Sequence, residues 1–213
     1  MIGPSSSHTA GALRIGNITR MILGEDVRKA DIGLTGSFAQ TYQGHGTDRA
    51  IVAGLLGMHV DDERIRESFD IAKKEGLEFI IREISIPRSH PNTARLHIHG
   101  MNGKECIVEG ASIGGGNIQI YSVNGMATEF SGNADTLIIP HKDTPGVIAQ
   151  VSSLMSWYGI NIGNFKLKRL HKGFQSIMTV EVDSLTDKSV IEKLRSLPHI
   201  ENVIYLSAIQ SRE

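Results

Sequence analysis

Residues 3–11, Gly3-Pro4-Ser5-Ser6-Ser7-His8-Thr9-Ala10-Gly11, lead straight into an apolar series at Gly11, Ile15, Ile18 and Ile22, the spacing of one helical face. Pro4 and the serines therefore read as a helix start. The helix is expected from about His8 to Leu23, with Gly24 as its C-terminal stop and Arg14, Asn17 and Arg20 on its wetter side. The first N–H groups of a helix have no partner inside it, so Ser5 or Ser6 can cap some of them and an anion can take others. A single capping serine would be an ordinary helix start. Four hydroxyls (Ser5, Ser6, Ser7, Thr9) and His8 between two glycines exceed what capping requires, and the stretch suits a carboxylate or phosphate.

A second stretch has the same character. Asp31 to Phe38 reads as a short strand running into the polar glycine loop Gly36-Ser37-Phe38-Ala39-Gln40-Thr41. A helix start follows at Gly44-His45-Gly46-Thr47-Asp48, where Thr47 or Asp48 can cap and Ala50, Ile51, Gly54 and Leu55 form the buried face. His45 stands between two glycines that let backbone approach a ligand closely. Alone, the segment could be a flexible loop with a surface histidine. Beside the first motif it reads as a second ligand-receiving helix start.

The remainder of the first half is structural in character. Asp61 to Glu75 predicts a helix with Ile65, Phe69 and Ala72 inward and a solvated charged face. Strands are expected over Leu77 to Ile86, Thr93 to His99, Lys104 to Ile113 and Asn117 to Val123, with Asn102-Gly103 as a hairpin turn. His97 and His99 share the polar face of their strand. Such a pair can bind a metal, but no third ligand is evident nearby, so no metal site is assigned. Gly114-Gly115-Gly116 can be a bulge or a place of close ligand approach.

Residues 124–133 lack periodicity and read as a linker between a domain at 1–123 and a second at 134–213. In the second, Leu137-Ile138-Ile139 is a strand, and Thr144-Pro145-Gly146 supplies a cap and a first-turn proline before a helix from Val147 to Tyr158. Strands Ile160 to Leu170 and Phe174 to Val182, a helix Lys188 to Ser196 and a strand Ile200 to Leu206 complete the order βαββαβ, which is ferredoxin-like. The fold class is therefore α+β, an N-terminal α/β domain of substrate-binding type followed by a ferredoxin-like domain.

Composition narrows the partners. The 213 residues carry 22 Lys plus Arg against 23 Asp plus Glu and only eleven aromatic side chains, which gives neither the basic footprint nor the stacking platforms of a nucleic-acid binder. No apolar run is long enough to span a membrane and no secretory signal pattern is present, so a cytoplasmic location is expected. The single Cys106 cannot form an internal disulfide and cannot by itself hold an iron–sulfur cluster, which takes three or four thiolates. In its strand-like run it reads as a small buried hydrophobe.

GPSSSHTAGALRIG, GSFAQTYQGHGTDRAIVAGLLG and SIGGG together resemble the β chain of the two-chain, iron–sulfur-dependent L-serine dehydratases, and IIPHKDTPGVIAQVSSLMSWYGINI resembles an ACT domain. In that family a short strand-like segment commonly precedes the serine motif. Here the motif begins at Gly3, so the given start is expected to be an internal methionine or a shortened one, which would leave that element out.

The resemblance implies an L-serine ammonia-lyase subunit of amino-acid metabolism and gluconeogenesis, with a [4Fe-4S] cluster ligated by a cysteine-bearing α subunit and not by this chain. It implies His8 and His45 as catalytic residues, either of which can carry the proton, with Ser5, Ser6, Ser7, Thr9, Gly44, Gly46, Thr47 and Asp48 at the substrate. ACT domains commonly pair through their sheets, so self-association is implied as well. In the similar loop of 3-phosphoglycerate dehydrogenases serine is held at positions that correspond here to His141, Asp143 and Asn161, with Gly146 at the turn. Asp143 departs from that pattern, because a carboxylate stands where a neutral amide is usual.

A different class of function, a catalytically silent regulatory module that binds an amino acid, is compatible with the second domain; the paired serine and histidine motifs argue against it. The G-x-S-x-G spacing at Gly110 to Gly114 lies between two expected strands and opens no helix, so it does not support the nucleophile elbow of a serine hydrolase, and no lysine stands in a recognisable pyridoxal-phosphate context.

Overall fold

The computed structural model describes residues 7–209 except positions 170 and 186, and divides between Gly125 and Met126 into two compact units. In the first, a wide π-type turn at Ser7–Gly11 leads into α1 (Ala12–Leu23), followed by β1 (Val27–Leu34), α2 (Gly36–His45), α3 (Thr47–Leu55), a 3₁₀ turn (Glu63–Glu67), α4 (Ser68–Glu75), β2 (Glu78–Glu83), β3 (Thr93–Gly100), β4 (Glu105–Gly114) and β5 (Asn117–Val123). The strands lie in the order β2-β1-β3-β4-β5. Strands β1 and β2 are parallel, as a crossover through three helices permits, while β1–β3, β3–β4 and β4–β5 are antiparallel. One face is apolar and closed: Ala30, Ile32, Leu34, Ala94, Leu96, Ile98, Cys106, Val108, Ile118 and Ile120 alternate inward and are buried.

Helices α1 and α3 are in backbone contact. A Cβ on Gly16 would stand 2.5 Å from the Ile51 carbonyl oxygen, and one on Gly54 would stand 2.2 Å from the Leu13 carbonyl oxygen. The next residue of α1, Asn17, donates from Nδ2 to the Met58 carbonyl at 3.0 Å. These contacts mark one close crossing of the two helices, and His8 and His45, just ahead of α1 and α3, have ring centroids 5.0 Å apart, so the starts of the helices lie side by side.

Several local expectations are corrected. The stretch from Gly36 is not a loop: α2 begins there directly after Thr35, and a single left-handed residue, Gly46 (φ 70°), ends α2 and begins α3. The second motif is thus a helix–helix joint instead of a strand–loop–helix. Neither Thr47 nor Asp48 caps α3, and no side chain caps α1, whose N-cap is Gly11. Arg14 is buried, not on the wet side. The helix expected from Asp61 is a 3₁₀ turn before α4. The triple glycine is the tight β4–β5 turn, with all three residues at positive φ.

The second unit contains β6 (Met126–Phe130), β7 (Asp135–Lys142), α5 (Val147–Trp157), β8 (Ile162–Arg169), β9 (Gln175–Val182), α6 (Ser189–Arg195) and β10 (Ile204–Leu206). Its sheet runs β10-β7-β9-β8 with every pair antiparallel, the ferredoxin-like arrangement. Leu137, Ile139, Met178 and Val180 pack against Val147, Val151, Met155 and Leu194 of the two helices. Strand β6 lies within the stretch expected to be an irregular linker; Thr128 and Thr179 share a buried hydrogen bond of 2.6 Å there. The carboxylate of Asp135 accepts from Leu185 N, Ala208 N and the Tyr205 hydroxyl, fastening the end of β10 to β7. Burial, aided by that carboxylate, pushes the Tyr205 hydroxyl up to about 12. Thr144 does not cap α5; Gly146, at φ 90°, holds the N-cap position without a side-chain bond. Among the described residues no helix is long and apolar enough to cross a membrane.

Candidate functional site

The close packing of α1 and α3 determines which side chains meet. His8 lies in the π-type turn one turn before α1, and His45 lies on the last residue of α2, one residue before the joint that begins α3. Their ring centroids are 5.0 Å apart. The His8 ring also meets Phe38 at 5.5 Å, and its Nε2 shares a 3.1 Å hydrogen bond with Ser37 Oγ. Two motifs far apart in sequence thus form one cluster.

Burial lowers the pKa of His8 below 6.5, and the neighbouring His45 lowers it further. His8 is therefore neutral at physiological pH, with one ring nitrogen able to accept a proton.

Unmet hydrogen-bonding capacity surrounds the cluster. Among the described residues, His8 Nδ1, His45 Nδ1, Thr47 Oγ1 and Ser112 Oγ are buried without a hydrogen-bond partner. Leaving such groups unpaired costs on the order of 1–3 kcal/mol each, so a bound polar molecule would recover that cost. A Cβ on Gly44 or Gly46 would meet nothing within 4 Å, so the joint beside His45 is open on that side. Asp48 is buried; its carboxylate accepts from Arg49 N at 2.7 Å, and burial raises its pKa.

Three residues that the sequence did not single out belong to this neighbourhood. Ser37 is the hydrogen-bond partner of His8. Ser112 lies against the π-type turn so closely that a Cβ on Gly11 would stand 2.1 Å from Ser112 Oγ. Arg14, buried in α1, donates from Nη1 to the Gly116 carbonyl at 3.2 Å and so ties the helix to the triple-glycine turn. Ser37 and Ser112 sit in the quoted motifs GSFAQ and SIGGG, which was the available signal. Of the expected residues, Thr9 is half-buried in the turn; Ser5, Ser6 and the Ser7 side chain lie outside the described residues.

Cys106 offers nothing to a cluster. Its thiol is buried, donates to the Thr19 carbonyl over 3.7 Å, and is pushed up to about 12 by burial and then by Glu105. The residues described do not fit an iron–sulfur ligand set.

The second unit carries a separate cavity of about 330 Å³ beside the β7–α5 turn, lined among others by His141, Asp143, Thr144, Gly146, Arg169 and Gly173. His141 is buried; its Nδ1 is 2.8 Å from the Lys142 carbonyl, while its Nε2 and the Thr144 Oγ1 are buried without a hydrogen-bond partner among the described residues. Asp143 is held by Arg169 Nε at 3.2 Å and accepts from Gly173 N at 2.9 Å. Asn161 does not line the cavity. Its Nδ2 donates to Asp183 at 2.7 Å, so the three positions expected to act together are not brought together within one chain.

Residues 1–122 match the family described as serine dehydratase beta chain, and residues 136–199 match the ACT domain family. The chain is 41% identical to a probable L-serine dehydratase, beta chain, of Bacillus subtilis, over 95% of this chain and 92% of that protein. It is equally 41% identical to the L-serine dehydratase, beta chain, of Peptoniphilus asaccharolyticus, over 92% and 87% of the two chains. A D-3-phosphoglycerate dehydrogenase of Methanocaldococcus jannaschii is 27% identical over 91% of this chain but only 36% of its own length. With this likeness running through both units, the chain belongs to the serine dehydratase beta-chain family and carries an ACT domain at its C-terminal end.

Proposed function

We propose that the chain is the β subunit of an L-serine ammonia-lyase, which converts L-serine to pyruvate and ammonia together with a cysteine-bearing α subunit. The observation that carries this reading is the His8–His45 cluster at the adjoining starts of α1 and α3, surrounded by buried polar groups without partners. Cys106 cannot hold the [4Fe-4S] cluster that the family resemblance implies, so that group belongs to the α subunit in this reading. When bound there, it supplies Lewis-acid polarisation of the serine hydroxyl, a poor leaving group near neutral pH.

The chain's own residues bind, orient and move a proton. The hydroxyls of the motif from Ser5 to Thr9 receive the substrate carboxylate, helped by the partial positive charge of the helix start that follows. Gly44 and Gly46 leave room for the substrate beside His45, with Thr47 and Asp48 next to it. An imidazole, that of His8 or His45, takes the α-proton and passes it to the departing hydroxyl, which leaves as water. The product is 2-aminoacrylate, which tautomerises to the imine and takes up water to give pyruvate and ammonia. General acid–base help of this kind is worth about 10²–10⁴-fold.

The test is reconstitution with the α subunit. The chain alone should form no pyruvate from L-serine, and the complex should. Activity of the rigorously purified single chain would overturn the two-chain reading.

For the second unit we infer an amino-acid site at the 330 Å³ cavity, a volume at the lower end of ordinary ligand pockets. His141 Nε2 and Thr144 Oγ1 are its unmet polar groups, and Arg169 balances the charge of Asp143. Self-association through this unit is part of the same reading; Trp157, at the end of α5, is 88% exposed.

A further inference from the structure

Strand β3 presents His97 and His99 on the face of the sheet away from α1 and α3, while Leu96 and Ile98 point into the core. On β4, Glu105 stands in register directly opposite His99. The three side chains converge: His99 Nδ1 is 3.3 Å and His97 Nε2 is 3.7 Å from the same carboxylate oxygen, and the candidate ligand atoms all lie within 4.8 Å of one another. His97 Nε2 is buried and has no hydrogen-bond partner among the described residues.

We propose that His97, His99 and Glu105 form a binding site for a divalent transition-metal ion of the zinc class. For metal–ligand bonds of about 2.0–2.1 Å, the ligand atoms of a tetrahedral site lie about 3.3 Å apart. Two edges of the triangle already measure 3.3 and 3.7 Å, so small side-chain rotations complete the set, and water fills the fourth position. The donor set of two imidazoles and one carboxylate suits zinc and its neighbours rather than calcium or magnesium, which prefer oxygen alone. Adjacent strands of a hairpin supply all three ligands, so the framework is rigid before the ion arrives and little ordering is left to do.

Neighbouring charges leave the site open. Asp31, opposite His97 in register, is already held by Arg82 at 2.6 and 2.9 Å. Lys29, opposite His99, is exposed and can extend into solvent. This site is distinct from the His8–His45 cluster, and its ion would pin β3 to β4 across the Asn102-Gly103 turn.

The test is calorimetric titration of the full chain, freed of any purification tag, with zinc chloride. One ion per chain should bind, and added zinc should raise the thermal unfolding midpoint, because a ligand of the folded state stabilises it. His97→Ala and His99→Ala should each weaken binding by more than the roughly 10–100-fold that follows loss of a mere supporting group. Glu105→Gln, at a side chain 66% exposed and so harmless to folding, should weaken it too. His8→Ala combined with His45→Ala should leave this binding intact. The proposal is overturned if the parent binds no zinc at micromolar concentration, if Glu105→Gln and His97→Ala bind as the parent does, or if the ion is lost with His8 and His45 instead.

Discussion

The backbones of Gly16 and Gly54 touch, and that contact sets two histidine motifs beside each other at the starts of α1 and α3. A Cβ on Gly54 would stand 3.0 Å from Gly16 Cα as well as 2.2 Å from the Leu13 carbonyl oxygen, so no side-chain rotation can relieve it. Glycine within a helix costs about 1 kcal/mol relative to alanine. The sequence carries that cost twice for the sake of close approach.

Gly54→Ala and Gly16→Ala should therefore destabilise despite their better helix propensity. Forced overpacking typically costs about 1–3 kcal/mol, and in a chain of this size each kcal/mol lowers the midpoint by about 2–4 °C. A drop of several degrees by calorimetry, with a matching loss of activity in the reconstituted complex, is expected. An unchanged or raised midpoint would mean that the helices separate easily and that their packing does not set the site.

His8→Gln or His45→Gln in the reconstituted complex should lower kcat by about 10²–10⁴-fold for at least one of the two. The pH dependence gives the sign. The pKa of His8 is lowered from 6.5, so if His8 is the base, activity falls only as pH drops through that lowered value, on the acid side of 6.5. Stability follows the same group: the unfolded chain binds the His8 proton more readily, so stability declines as pH falls from about 6.5 to the folded pKa and is flat above. His8→Gln should flatten that acid-side decline in a chemical denaturation series. If both variants keep rates within a few-fold of the parent, the histidines are structural.

Cys106 should be inert in the folded chain. With its thiol pushed up to about 12, a disulfide-forming thiol reagent at pH 8 should label it only on unfolding, and anaerobically purified chain should be colourless. Rapid labelling of the native chain would contradict its burial.

The periodicity at Gly11, Ile15, Ile18 and Ile22 was legible because α1 buries one face, and Gly24 ends that helix in the left-handed conformation as expected. The βαββαβ order was legible because each element has its own period and punctuation. Residues 36–45 were misread because polar side chains and glycines resemble a loop, whereas Gly46 needs only one left-handed residue to join two helices. Arg14 was misread because a guanidinium on a helix is usually wet; its carbonyl partner at Gly116 is 102 residues away and invisible locally. Glu105 was missed beside His97 and His99 for a similar reason, since the third ligand comes from the partner strand in register rather than from the local pattern.

Asp143→Asn examines the charge balance of the second cavity. In the parent, Arg169 and Gly173 N occupy the Asp143 carboxylate, so a ligand carboxylate meets a largely neutralised pair instead of a bare negative charge. Converting Asp143 to the amide removes one charge and leaves Arg169 to face the ligand. Charges about 4 Å apart interact by about 1–4 kcal/mol between the dielectrics of water and of a protein surface, and the exposure of Arg169 places the effect toward the lower figure. Calorimetry on the full chain should therefore show L-serine binding appear or tighten in Asp143→Asn, and Arg169→Gln should abolish the gain. Tighter binding by the parent would instead mean that Asp143 receives the ligand's ammonium group. Absence of binding by parent and variants at millimolar serine would leave the second unit as a pairing module for subunits.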